Sequence, residues 1–94
     1  MNKSLLRILK TEDDILCGIA CCERLIPVYR MELDRTLEYP YNCESRDNDI
    51  RFFEDQIAYE SKRLAKYKAE LESTRSEMRD YFAMLFGKGG ENDG

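Results

Sequence analysis

Between residues 48 and 86, apolar positions recur at alternating spacings of three and four without a slip across five heptads. One column holds Ile50, Ile57, Leu64, Leu71, Met78 and Leu85, and the other holds Phe53, Glu60, Tyr67, Thr74 and Tyr81. A seam of that length predicts a coiled-coil-type helix over 48–86, with Glu60 and Thr74 as polar breaks. Asp47 or Asn48 is the predicted N-cap, and Gly87 the C′ stop. The i,i+3 pairs Glu60–Arg63 and Glu72–Arg75 add about a few tenths of a kcal/mol each. A rod of roughly 58 Å, at ~1.5 Å per residue, cannot bury its own seam. It needs a partner.

The first half of the chain supplies one. Ile15, Ile19, Cys22, Ile26, Tyr29, Leu33 and Leu37 fall in a narrow stripe at helical spacing. Pro27 lies inside this run, and the stripe keeps its phase across it, which predicts one helix kinked near Glu23–Pro27. Thr11, followed by Glu12, Asp13 and Asp14, reads as an N-cap with acids in the first turn. Residues 2–10, with Leu5, Leu6, Ile8 and Leu9, form a short amphipathic segment articulated at Thr11. Residues 39–47, "YPYNCESRD", carry loop chemistry in Pro40, Asn42 and Asp47. The arms 2–38 and 48–86 are nearly equal in length around this connection, so the predicted fold is an all-α antiparallel helical hairpin. Residues 1–86 make one helical domain, and 87–94 a disordered tail.

Charge narrows the range of functions. The net charge of −4 comprises +3 over residues 1–10, −6 over 11–50, zero over 51–86 and −1 in the tail. No stretch is basic enough to predict direct nucleic-acid binding. The longest apolar run, Ile15–Cys22, is far below the ~20 residues of a membrane span. The "GIAC" stretch resembles a lipoprotein cleavage site, but "KTEDD" precedes it where the apolar signal core should lie. The expectation is a cytoplasmic protein that neither crosses nor binds a membrane, with its four cysteines reduced.

Those cysteines are the first candidates for chemistry. Cys17 and Cys21 are i,i+4 neighbours on a helix, Cys22 points about 100° away from Cys21, and Cys43 lies about 30 Å along in the loop. One chain cannot gather four thiolates for a structural zinc in that arrangement. No metal or other cofactor is therefore predicted, and the thiols read as small apolar groups. With no histidine in the chain, a catalytic thiol would lack its usual base. The adjacent acids Asp13/Asp14 and Glu54/Asp55 point apart, so the chain reads as a non-enzyme.

What remains is surface. Cys17, Cys21 and Val28 lie opposite the main stripe, and "YFAMLF" at 81–86 is apolar on every side. Beside Leu5 and Leu9, Phe82 and Phe86 would leave an apolar patch that a single hairpin does not cover. Self-association into a homodimeric four-helix bundle is one predicted cover; a different protein is the other. At the tip, Tyr39 and Tyr41 beside Glu44 and Asp47 form a candidate partner-binding cluster. The functional expectation is a protein-binding module that occupies a surface of a larger protein. Inhibitors made by phages or mobile elements against host nucleic-acid-processing defences are of this size and character. A homo-oligomeric assembly adaptor is the alternative, and a cysteine-based metal or redox sensor the remote one.

Overall fold

The computed structural model describes residues 3–40 and 43–87. Helix α1 runs over Lys3–Glu38 and helix α2 over Glu44–Phe82, continued by a π-helical turn over Ala83–Gly87. The helices lie antiparallel as one long hairpin, and the described residues include no strand.

α1 is a single uninterrupted helix. It does not articulate at Thr11, whose hydroxyl instead donates to the Arg7 carbonyl at 2.8 Å, the back-bond of a threonine inside a helix. It also passes through Pro27, which lies on the exposed side, where the carbonyl left without a donor reaches water. Two columns face the partner arm: Leu5, Glu12, Ile19, Ile26 and Leu33, and Ile8, Ile15, Cys22, Tyr29 and Thr36, all buried or half-buried. Leu37, assigned to the stripe by its hydrophobicity, is 49% exposed, because the heptad continues through Thr36.

α2 keeps the predicted seam from Ile50 to Tyr81, all of it buried or half-buried. Leu85 is 50% exposed because the α-helical repeat ends before it, at Phe82. No described residue adopts a positive φ, so the helix ends by widening into the π turn and not on a left-handed glycine. At its other end α2 begins one turn earlier than the cap signals suggest. Cys43, with extended backbone, is the N-cap residue, and Asp47 N–H already donates to its carbonyl at 3.1 Å.

Arg46 explains the early start. Its Nε donates to the Thr36 carbonyl at 3.2 Å and its Nη2 to the Leu37 carbonyl at 3.0 Å. The last carbonyls of α1 are thereby satisfied by a cation from the first turn of α2. The connection shrinks to residues 39–43, a length usual for helical hairpins. At the open end, Arg75 Nε meets Glu12 Oε2 at 3.2 Å and Arg7 Nη2 meets Glu77 Oε1 at 3.5 Å. Between these ends, Tyr29 and Phe53 pack with ring centroids 6.4 Å apart.

The molecule measures 74 × 24 × 13 Å, and its shortest dimension is that of one layer of helices. Its radius of gyration is 21.4 Å. A compact domain of this length would give about 12 Å. The surface is correspondingly large.

Candidate protein-binding surfaces and the buried polar centre

Halfway along the hairpin the seam turns polar. Cys22 is fully buried and Glu60 is 4% exposed. Arg63, one turn further along α2, places Nη1 at 3.2 and 3.3 Å from the two Glu60 oxygens. Its Nη2 donates to the Tyr67 hydroxyl at 3.0 Å, and its guanidinium lies 5.5–5.6 Å from the ring centres of Tyr67 and Tyr59. Burial, and then the neighbouring Glu60 carboxylate, push the Cys22 thiol pKa above its ordinary value, so Cys22 is a proton-holding, unreactive group.

Gly18 completes this centre. A Cβ at that position would fall 2.7 Å from Cζ of Tyr67, so the ring lies flat against bare backbone. No described buried side-chain N or O atom lacks a partner. Glu60 is buried, whereas Arg63 and Tyr59 reach solvent at the edge of the cluster, which fixes how the arms meet. The sequence offers Glu60–Arg63 as an i,i+3 pair and Glu60 as a polar break in the seam. The signal that points to the centre is Gly18, four residues before Cys22 and seven before Leu25.

The hairpin tip carries the first predicted binding cluster. Tyr39 is 53% exposed and lines a shallow groove with Arg35, Thr36, Cys43, Ser45, Arg46 and Asp49. Glu44 and Asp47 are exposed in the first turn of α2, suited to its dipole, but do not line that groove. Tyr41 lies outside the described residues.

Of the second predicted set, Leu5 is half-buried in the seam, and Leu9, Cys17, Cys21, Val28, Phe82 and Phe86 are exposed. They fall into two regions. At the open end, Phe82 and Phe86 stack with centroids 5.9 Å apart, and Leu6, Met84 and Leu85 add further apolar surface, with Met84 67% and Phe86 70% exposed. Along the outward side of α1, Cys17, Cys21 and Val28 are joined by Ala20, Pro27 and Met31, all exposed. Of these, Leu6 and Met84 lie in the apolar segments read from the sequence, whereas Met31, between Arg30 and Glu32, was not singled out.

Among the described residues, no three His, Cys, Asp or Glu side chains converge as a metal site would require. Among the described residues, no helix is long and apolar enough to cross a membrane. No protein-family model matches the sequence, and no solved structure matches the hairpin.

Proposed function

We propose that this chain is a non-enzymatic protein-binding module that acts by occupying a surface of a larger protein through its open end. The observation that carries this reading is the apolar cluster of Leu6, Phe82, Met84, Leu85 and Phe86, which the two-helix layer leaves in water. Aromatic and methionine side chains presented together are the composition of an interface centre, where contact energy concentrates. The acidic stretch 11–50 suits a basic partner surface, such as the groove of a nucleic-acid-processing complex. An inhibitor encoded by a phage or mobile element and working by occlusion is the form of action that combines the two features.

The test is affinity capture from the native host with the full chain and with Phe82→Glu/Phe86→Glu, whose helicity is checked by circular dichroism. The expected outcome is a partner retained by the wild type, lost by the variant, and released as salt is raised. Equal capture by both proteins removes the open end from the proposal. A second reading, the homo-oligomeric adaptor, is favoured by a separate observation, the outward face of α1.

A further inference from the structure

We infer that the outward face of α1 binds the same face of a second copy of this chain, with the two α1 helices antiparallel and their symmetry axis near residues 21–22. Around one central charge, Arg24, the face carries Cys17, Ala20, Cys21, Pro27, Val28 and Met31, all exposed. The outward face of α2 carries Lys62, Lys66, Glu72 and Asp55 together with the exposed rings of Phe52 and Tyr59. This inference concerns a different surface from the open end and does not depend on it.

Area and charge identify the occupant. The chain exposes 7272 Å². A compact monomer of 11.1 kDa would expose about 5,700 Å². The excess of about 1,600 Å², spread over the whole rod, leaves room for the ~800 Å² per partner that a stable interface buries. The charges bordering the stripe then choose the direction. Lys10 and Asp13 precede it, Arg30 flanks its last turn, Asp34 follows it, and all four are exposed. Among the described residues none of the four is ion-paired within the chain.

A parallel pairing sets Lys10 on Lys10, Asp13 on Asp13, Arg24 on Arg24 and Asp34 on Asp34. An antiparallel pairing centred at 21–22 sets Lys10 against Asp34 of the second copy and Asp13 against its Arg30. It also sets Arg24 against the small Ala20 and Cys17 against Pro27. Each contact occurs twice by symmetry. On the scale of the whole rod, this direction lays the basic first ten residues of one copy beside the acidic tip of the other. The self-complementary order of charges along one face is what a heterologous partner would have no reason to match.

The register makes a sharp test. At ~1.5 Å per residue, Cys21 lies about 2 Å along the axis from Cys21 of the second copy, whereas the two Cys17 residues are about 14 Å apart. Sedimentation equilibrium of the full chain should give a dimer, and a short bis-maleimide should link it through Cys21. Linking should persist in Cys17→Ser and in Cys43→Ser and disappear in Cys21→Ser. Met31→Glu should raise the dimer dissociation constant at least a hundredfold while circular dichroism stays helical. Lys10→Asp should weaken the dimer about tenfold, and Lys10→Asp/Asp34→Lys should recover it. A chain that remains monomeric at millimolar concentration overturns the proposal, and so does a dimer indifferent to Met31→Glu. Linking that is lost in Cys17→Ser but survives in Cys21→Ser overturns the antiparallel register.

Discussion

α1 turns Ile8, Ile15, Ile19 and Cys22 into the seam, whereas the residues that α2 buries are Glu60 and Thr74. The outward faces are both mixed, with Cys17, Cys21, Val28 and Met31 exposed among charges on α1 and Phe52 and Tyr59 exposed among charges on α2. The two arms divide the work of one interface. α1 supplies most of the hydrophobic driving force, at about 1.5–3 kcal/mol for each fully buried large aliphatic side chain. α2 supplies position. A buried carboxylate is stabilising only where its partners are, and Tyr67 fits only against a residue with no side chain. On α1 the positions one heptad either side of Gly18 are Thr11 and Leu25. Sliding the arms by a heptad in either direction would drive the Tyr67 ring into one of them.

The most damaging change to this division is Gly18→Val, which puts a branched side chain where the Tyr67 ring lies. The expected loss is about 2–3 kcal/mol in urea denaturation, partly recovered by adding Tyr67→Ala. Unchanged stability in Gly18→Val would show that the glycine does not set the register. A smaller effect comes from alkali. The Cys22 thiol has its pKa raised in the fold, so the stability it contributes is complete below the ordinary thiol pKa and is lost as pH rises through the folded value. Wild type should therefore lose stability above about pH 8.5 by more than Cys22→Ala does, and identical pH profiles for the two proteins would refute the buried thiol's role. The smallest effect belongs to the ion pairs between the arms. Arg7→Ala removes a pair whose side chains are 74% and 56% exposed and should cost less than ~0.5 kcal/mol, vanishing in high salt. Arg75→Ala, whose Glu12 partner is 21% exposed, should cost more, though below ~1 kcal/mol.

The hairpin was legible because both arms keep a strict three-and-four spacing, which one substitution or one proline does not erase. The α1 pattern survives Pro27 because the ring faces away from the seam. The ends were less legible. Leu37 looked like a seam residue because hydrophobicity was followed instead of phase, and phase selects Thr36, whose hydroxyl donates to the Glu32 carbonyl at 2.8 Å. Asp47 and Asn48 looked like caps because the residue that closes the end of α1 is an arginine from the other helix. A contact ten residues away leaves no local signature. The polar centre was hidden for a related reason. Glu60 and Arg63 form an ordinary i,i+3 pair on paper, and only the approach of Cys22 and Gly18 from α1 turns it into an interior.

Arg46 also sets the order in which the arms come together. It holds the last turn of α1 across a connection of residues 39–43, and the shortest loop has the smallest closure entropy. Once that end is fastened, each further turn joins a partner already held nearby, so assembly runs as a zip from the tip toward the termini. Opening runs the other way. The first turns to part are those beside the π turn, which carry the apolar open end. A protein that grips this end clamps the zip where it would start to open, and its grip is felt as stiffness along the whole rod.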